Sequence, residues 1–256
     1  MKIGFLGFGN MAQALTDGLL RSGKVAPDEV AACARNWEKL CRNAGLRGIR
    51  PLERAAQVAD FADVVVVAVK PRQVEEVLTP LRGRLAGKIL LSVAAGFTFD
   101  RYETILAPGT HHLSTVPNTP VSVCEGIVVC ERRHNLTADE WQAVRALLGG
   151  VGMVVEVDTP LLAVAGTVCG CAPAFVAMFI EALGDAAVKH GIPRDEAYRM
   201  VSQMVVGTGR LQLESGTHPA AMKDAVCSPG GTTIYAVSVL EEYGLRNAVI
   251  KACDAC

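Results

Sequence analysis

Short apolar runs alternate with stretches of helical periodicity along the first half of the chain. Each short run predicts a strand, and the β-branched run Asp63–Val69 is typical of a parallel strand buried on both faces. Helical patterns separate the runs: one covers 71–85, and the capping box Thr137–Glu140 opens another that continues to about Leu148. This alternation predicts a doubly wound α/β domain over residues 1–157. The predicted strands cover 2–6, 30–34, 63–69, 88–94, 112–116, 126–130 and 151–157.

The second half has no strand pattern, and its apolar residues recur at helical spacing. Stop signals separate the helices. Near residue 190, cations end the first helix, Gly191 can take a left-handed cap, and Pro193 prevents continuation. We therefore predict an all-helical second domain over residues 158–256. Its predicted helices cover 160–190, 194–214, 219–226, 231–242 and 245–254.

The composition limits the class of protein. Half of the residues are hydrophobic, 20% are charged, and 25 basic residues nearly balance 26 acidic ones. Such a chain is too apolar to be disordered, and a net charge of −1 creates no field that attracts nucleic acid or an anionic membrane. We therefore expect no nucleic-acid partner. The apolar residues must be buried in a membrane, in a large core or between subunits.

One segment tests the membrane alternative. Thr159–Ile180 carries no charged residue and is long enough to span a bilayer. It contains Pro173, however, and is flanked by Asp158 and Glu181 in place of Lys or Arg. A membrane span stays an alternative, while burial in an oligomeric core is favoured. Because the N-terminus also lacks the features of a signal peptide, we expect a cytoplasmic protein without a membrane span.

Cysteine and histidine are candidates for disulfides or metal binding. The nine cysteines are an odd number, and Cys253–Cys256 is an isolated C-x-x-C pair at the end of the sequence. The five histidines show no spacing typical of metal ligands. We expect reduced, mostly buried thiols and no metal.

A glycine-rich motif predicts a dinucleotide site. Gly7-Phe8-Gly9-Asn10-Met11-Ala12 fits G-x-G-x-x-A, follows a predicted strand and opens a helix, which is the context of a Rossmann-like domain. Gly7 permits the tight turn, Gly9 lets a pyrophosphate approach the backbone, and Ala12 allows close helix–strand packing. The amides of the helix N-terminus favour phosphate. A glycine-rich turn without a ligand is the alternative.

The end of the second predicted strand bears on the choice between NADPH and NADH. NAD sites usually place an acidic residue there, whereas this strand is followed by Arg35 and Asn36, which can bind a 2′-phosphate. We predict NADPH and keep NADH as an alternative; Arg35 could also be an exposed residue without a partner. Small residues after two later strands complete the crevice. The predicted cofactor residues are Leu6, Gly7, Phe8, Gly9, Asn10, Met11, Arg35, Asn36, Ala68, Val69, Lys70, Pro71, Val93, Ala94 and Ala95.

A second motif predicts an anion site in the helical domain. Ser228-Pro229-Gly230-Gly231-Thr232-Thr233 makes a tight turn and then opens a helix, which offers amide groups and two hydroxyls to a carboxylate. The alternative is a plain helix start with Thr232 or Thr233 as the capping residue.

The motifs together resemble the pyrroline-5-carboxylate reductase family over nearly the whole chain. The resemblance implies that the cyclic imine Δ1-pyrroline-5-carboxylate is reduced to L-proline by NAD(P)H. It also implies homodimers interlocked through the C-terminal helices, often assembled into decamers of five dimers. The residues that carry the resemblance are 5–12, 68–71, 94–96, 117–120 with Gly126, and 228–233.

The resemblance also implies roles for the second motif. Thr233 would hydrogen-bond the imine nitrogen as the catalytic residue, and the partner chain's crevice would supply the nicotinamide. The implied substrate-binding residues are Ser228, Gly230, Gly231, Thr232 and Thr233. Three places depart from the family or lie outside its pattern: Val116 replaces a frequent Met, Glu53-Arg54-Ala55 lacks a frequent Asn, and His111-His112 matches no catalytic element.

Three alternative functions stay open. A β-hydroxyacid reductase would share the cofactor domain, but it would normally carry a catalytic Lys in the long helix, and Thr159–Ile180 has none. A reductase of other imines is a second alternative. A non-catalytic NADPH-binding regulator is the third, and it would not need the carboxylate site at 228–233.

Overall fold

The computed structural model describes every residue from Met1 to Cys256. Contacts divide the chain into two compact units, Met1–Cys171 and Ala172–Cys256. The division falls later than the domain boundary predicted after Val157. The reason is local packing: Leu162 is buried, and the Cα of Gly166 lies so near Val116 that an added Cβ would be 3.3 Å from its side chain.

An eight-stranded sheet organises the first unit in the order β3-β2-β1-β4-β5-β6-β7-β8. Strands β1 to β6 are parallel, β7 is antiparallel to β6, and β8 is parallel to β7. This confirms the predicted doubly wound, Rossmann-like domain. The pattern does not predict β3, which has only two residues. The strands are β1 Ile3–Leu6, β2 Val30–Cys33, β3 Arg50–Pro51, β4 Val64–Val67, β5 Ile89–Ser92, β6 His111–Pro117, β7 Gly126–Glu131 and β8 Gly152–Val157.

Helices cover both faces of this sheet. In β4, Val64 and Val66 belong to one hydrophobic core, while Val65 and Val67 belong to the core on the opposite face. Side chains alternate between faces along a strand, so burial of both faces requires a continuous apolar run. The helices are α1 Asn10–Arg21, α2 Trp37–Gly45, α3 Ala55–Phe61, α4 Val74–Leu78, α5 Phe99–Glu103, α6 Ala138–Leu148 and α7 Leu162–Gly166.

Two sequence predictions about helices can be refined. The capping box is present: the Thr137 hydroxyl accepts from the Glu140 amide, and Glu140 accepts from the Thr137 amide. The predicted helix over 71–85 is helical from 71 to 84, but only α4 is α-helical, and tighter 3₁₀ turns flank it. Pro71 and Pro80 lie in those turns, where a missing amide hydrogen is tolerated.

The second unit is entirely helical. The single helix predicted over 160–190 is interrupted: α7 leads into a π-helical turn, Thr167–Cys171, before α8 begins. Pro173 lies two residues after this turn and cannot donate a backbone hydrogen bond to the preceding turn. The helices are α8 Ala172–Lys189, α9 Arg194–Ser215, α10 Pro219–Ala225, α11 Thr232–Glu242 and α12 Leu245–Asp254.

The surface of the helical unit is unusually apolar in the single chain. Thr159–Lys189 is long and apolar enough, by length and composition, to cross a membrane, and only 6% of its most apolar stretch is buried. Large apolar side chains on other helices are also exposed, such as Val206 and Leu213 on α9 and Tyr235 on α11. A surface of this kind indicates a partner, either lipid or protein.

Close backbone packing fixes α1 against the turn Thr119–Val123. Gly18 is buried in the middle of α1, and a Cβ built on it would lie 2.0 Å from the Val121 carbonyl oxygen. Real atoms do not approach that closely, so a side chain at Gly18 would push the helix and the turn apart. This contact holds the helix that begins at the glycine-rich motif.

We predict that Gly18→Ala lowers the free energy of unfolding by about 1–3 kcal/mol, the usual cost of overpacking. Gly45→Ala is the matched control, because Gly45 is also helical but has open space around its Cα. The control is expected to leave stability unchanged or to raise it by up to about 1 kcal/mol. Urea denaturation at one protein concentration measures both; equal effects would contradict the packing argument.

Candidate functional site

A crevice of about 810 Å³ opens at the carboxyl ends of the strands in the first unit. It lies where β1 is flanked by β2 on one side and β4 on the other, so that the connections leave the sheet in opposite directions. Open α/β sheets bind ligands at this position, because the diverging connections leave a gap between them.

The glycine-rich turn forms the floor of this crevice. Gly7 has a φ of +92°, and an added Cβ would lie 2.7 Å from the Ala68 carbonyl oxygen. Gly9 differs: its φ is −81°, and an added Cβ would meet no protein atom within 4 Å. Gly7 is therefore required by the turn itself, whereas Gly9 leaves space for a ligand to approach the backbone.

The N-terminus of α1 points its amide groups at that space. Gly9 is the capping residue and supplies no side-chain acceptor, and the first turn contains no acidic residue. The amides of the first turn have no partner within the helix. Such an end stabilises negative charge, as in phosphate sites of dinucleotide-binding proteins.

The structure gathers the predicted cofactor residues around the crevice with one exception, Asn36. Its side-chain oxygen accepts a hydrogen bond from the Lys39 amide at 2.9 Å, so that Asn36 caps α2. Several lining residues were not predicted, because no local motif of the sequence assigns them to the cofactor and only the packing of the segments brings them to the crevice. The missed residues are Cys33, Ala34, Glu53, Ala55, Gln73, Val77 and Thr119.

Arg35 lines one end of the crevice and has a partner. Its Nη2 lies 3.1 Å from both carboxylate oxygens of Glu76, and the two side chains are 72% and 68% exposed. Arg35 is therefore exposed, as the alternative states, but it is not without a partner. The guanidinium carries five N–H groups, so the contact with Glu76 leaves donors for a further anion.

A buried hydrogen-bond network holds the turn after β5, where Val93–Ala95 line the crevice. The Ser92 hydroxyl accepts from the Ala94 amide at 3.2 Å and lies 2.6 Å from the Tyr102 hydroxyl. The Ser92 carbonyl accepts from the Thr115 hydroxyl at 2.7 Å. Burial raises the pKa of Tyr102, which keeps its hydroxyl protonated. Polar networks that are satisfied in this way rigidify the backbone they hold.

The second motif forms a turn and a helix start in the helical unit. The Gly231 amide donates to the Ser228 carbonyl at 3.0 Å, and Gly230 takes a left-handed φ of +67°. Helix α11 begins at Thr232 with Gly231 as its cap and without a side-chain cap. The alternative in which Thr232 or Thr233 caps the helix is therefore wrong. Both threonines are exposed in the single chain, and neither hydroxyl has a protein partner.

Asn118 connects the family-like segment 117–120 to the π-helical turn. Its side-chain oxygen accepts from the Ile127 amide at 3.0 Å, and its side-chain nitrogen donates to the Cys169 carbonyl at 3.1 Å. Asn118 thus ties the segment between β6 and β7 to the π-helical turn.

The two histidines at the start of β6 have acidic partners. His111 Nδ1 lies 2.7 Å from Glu140, and His112 Nε2 lies 2.7 Å from Glu103. Burial lowers the pKa of His112, although Glu103 opposes this shift. Both histidines begin β6, away from the crevice lining.

The cysteines are free thiols, and no three His, Cys, Asp or Glu side chains are grouped as metal ligands. Only Cys33 and Cys130 are buried in the single chain, so the expectation of mostly buried thiols is wrong. The reason is that five of the nine lie in or next to the helices of the exposed second unit, where the chain buries little surface of its own.

Two family models match the chain, one in its N-terminal part and one in its C-terminal part. Residues 2–96 match "NADP oxidoreductase coenzyme F420-dependent", and residues 160–256 match "Pyrroline-5-carboxylate reductase dimerisation". The second match covers nearly the whole apolar stretch Thr159–Lys189. The apolar surface of the helical unit is accordingly a subunit interface, and the protein oligomerises through its C-terminal helices.

Solved structures share the fold over the full length. A Plasmodium falciparum pyrroline carboxylate reductase with NADP bound has a TM-score of 0.90 at 26% identity, covering 100% of this chain and 95% of that one. A pyrroline-5-carboxylate reductase from Coxiella burnetii has a TM-score of 0.84 at 32% identity, covering 99% and 95%. The chain has the fold of these reductases, with a nicotinamide cofactor domain followed by helices.

Relatives of known activity agree in sequence. Pyrroline-5-carboxylate reductase of Treponema pallidum is 46% identical over 100% of this chain and 98% of its own length. The Escherichia coli enzyme is 39% identical over 100% and 95%. Likeness at this level, over both units and all the motifs, shows that the chain belongs to the pyrroline-5-carboxylate reductase family.

Proposed function

We propose that this chain reduces the cyclic imine L-Δ1-pyrroline-5-carboxylate to L-proline, with NADPH as the preferred hydride donor and NADH as the weaker one. The observation that carries the substrate assignment is the turn at 228–231. It opens α11 with the Gly230 and Thr232 amides and two threonine hydroxyls, none of which donates to a protein group. This arrangement suits a small molecule that carries a carboxylate beside a polar ring atom.

The crevice residues fit a dinucleotide. Gly9 leaves room against the backbone, the amides that open α1 face a pyrophosphate, and Arg35 lies at the end where a 2′-phosphate would bind. Small side chains at Val93–Ala95 allow a flat ring to lie against the turn after β5. The bound cofactor supplies the hydride; the protein binds and orients it.

The substrate-binding residues need only to bind and orient the imine. A protonated imine is already electrophilic, so no protein nucleophile is required. The backbone of Gly230, Gly231 and Thr232, with Ser228 beside it, holds the carboxylate. The donors are the amides of Gly230 and Thr232, since the Gly231 amide already donates to the Ser228 carbonyl. Thr233 directs its hydroxyl to the imine nitrogen and fixes the ring. The imine carbon can then be held at near-attack distance, about 3–3.5 Å from the carbon that donates the hydride. A threonine hydroxyl is a poor acid near neutral pH, so Thr233 orients the substrate, and the proton arrives with the iminium or from water.

The direct test is turnover. We expect purified protein to oxidise NADPH when Δ1-pyrroline-5-carboxylate is added. The loss of NADPH absorbance measures the rate, and the product is identified as proline. The comparison is a panel of β-hydroxyacids assayed in the oxidative direction with NADP⁺, for which we expect no turnover. Absence of activity with the imine would reject the proposed function, and activity with a β-hydroxyacid would favour the related reductases.

Gly9→Ala tests the cofactor site without disturbing the fold. The new methyl group has open space in the protein and a backbone conformation that alanine accepts, so stability should be unchanged. It would occupy the approach to the pyrophosphate, and we expect the dissociation constant for NADPH to rise roughly 10-fold or more. Gly7→Ala is the contrasting variant, because its positive φ and its contact with Ala68 predict lost stability as well. If Gly9→Ala bound NADPH as tightly as the wild-type protein does, the glycine-rich motif would not be part of the cofactor site.

Thr233→Ala tests the catalytic role. We expect kcat to fall by about 10- to 100-fold, the range for losing one positioned donor, with NADPH affinity nearly unchanged. Thr233→Ser keeps the hydroxyl and should recover most of the rate. Steady-state kinetics and NADPH titration separate the two effects. Wild-type turnover in the alanine variant would exclude Thr233 from catalysis.

We also propose an oligomeric state and a cellular location for the protein. Homodimers interlock through α8–α12, five dimers form a decamer, and the enzyme is cytoplasmic without a membrane span. The apolar faces of these helices support the dimer, since a free monomer would expose more apolar surface than is usual. Multi-angle light scattering of the detergent-free protein distinguishes monomer, dimer and decamer by mass.

A further inference from the structure

We propose that Glu76 tunes cofactor preference by competing with the 2′-phosphate of NADPH for Arg35. This inference rests on the proposed cofactor site and adds a residue outside the crevice lining. Arg35 lines the crevice, whereas Glu76 does not. The guanidinium therefore stands between the space for a cofactor and a fixed negative charge on the protein.

The geometry of the pair is specific. One nitrogen of Arg35, Nη2, lies 3.1 Å from both oxygens of the Glu76 carboxylate. Gln73, one helical turn before Glu76, is also beside the guanidinium. With its amide oxygen turned towards Arg35, it accepts from Nη1 at 2.7 Å. Groups from the segment after β4 thus hold an arginine that follows β2.

A bound 2′-phosphate changes the balance of charge at this arginine. A phosphate monoester carries nearly two negative charges and forms bidentate contacts with a guanidinium, so it outcompetes a carboxylate. Arg35 must then either leave Glu76 or share its donors between two anions. In the first case an ion pair is lost, and in the second the carboxylate and the phosphate repel each other. Either way, Glu76 weakens binding of a cofactor that carries the 2′-phosphate.

NADH has no group at that position and does not need Arg35 to move. Glu76 therefore narrows the preference for NADPH over NADH without contacting the nicotinamide or the substrate. The effect on NADPH affinity is limited because both side chains are more than two-thirds exposed. Water screens ion pairs of that kind, so each contributes little free energy. The expected change is a modest shift in cofactor selectivity.

Glu76→Gln is the test, and the neighbouring acid provides a matched control. Glu75 lies on the same helix, is exposed and carries the same charge, but it has no contact with Arg35. Glu75→Gln makes the identical change in net charge one residue away. Dissociation constants for NADPH and NADH are measured by titrating the full-length protein and following nicotinamide fluorescence.

We expect Glu76→Gln to bind NADPH about 2- to 5-fold more tightly, with NADH affinity unchanged. Glu75→Gln should leave both constants unchanged or shift NADPH by much less. The gain in Glu76→Gln should shrink at about 1 M salt, where the Debye length is only ~3 Å. In an Arg35→Ala background, the gain from Glu76→Gln should be much smaller, since the cation for which the carboxylate and the phosphate compete is gone.

Several results would overturn the inference. One is an equal gain for NADPH and NADH; another is an equal gain in Glu75→Gln; a third is a gain of the same size in the Arg35→Ala background. No change in NADPH affinity would do the same. The proposed reaction fails separately: absence of imine reduction, with the Glu76 effect on NADPH intact, would reject the substrate and leave this inference standing.

Discussion

The meeting of three chain segments at the carboxyl edge of the sheet is the constraint on which the site depends. The Gly7 amide donates to the Cys33 carbonyl at the end of β2, and the Ala68 amide donates to the Leu6 carbonyl at the end of β1, both at 2.9 Å. Gly7 is pressed so closely on Ala68 that only a residue without a side chain fits. This contact turns the chain into α1 and leaves the backbone of Gly9 open. The phosphate-binding helix end and the crevice beside it are consequences of that one close approach.

The second unit is subject to a different constraint: within one chain, its helices cannot bury all of their apolar surface. Its helices leave large apolar side chains exposed, and its longest apolar stretch would satisfy a test for a membrane span. The match of residues 160–256 to a dimerisation model assigns that surface to other copies of the chain. The same helices carry the turn at 228–231, so assembly and the candidate substrate site occupy the same unit. Burial of the turn's surroundings would exclude water and strengthen its hydrogen bonds to a carboxylate.

The chain's own contribution to the proposed reaction is to bind and place two reactants. Backbone amides dominate at both anion sites, at the start of α1 and at the start of α11. The fold holds these amides in place, and they bind an anion without transferring a proton. Such groups are sufficient for a hydride transfer to an electrophile that is already charged. In the proposed reaction, Arg35 would bind the 2′-phosphate and Thr233 would orient the imine. Ser92 and Tyr102 act one step further away, since they hold the turn against which a nicotinamide would lie.

The sequence by itself determined the layers of the fold and the places where chemistry could occur. Local rules were sufficient there: a β-branched run such as 64–67 specifies a strand buried on both faces, and glycines at 7 and 230 mark turns with a positive φ that other residues rarely adopt. Gly9 marks the place where a ligand can approach the backbone. Only the tertiary structure decided which side chains meet. It made Asn36 a helix cap, paired Arg35 with Glu76, joined Asn118 to the π-helical turn, and brought Glu53, Gln73 and Thr119 to the crevice. Such contacts join segments far apart in the chain, and their geometry follows from how helices pack on the sheet, which no local pattern of residues specifies.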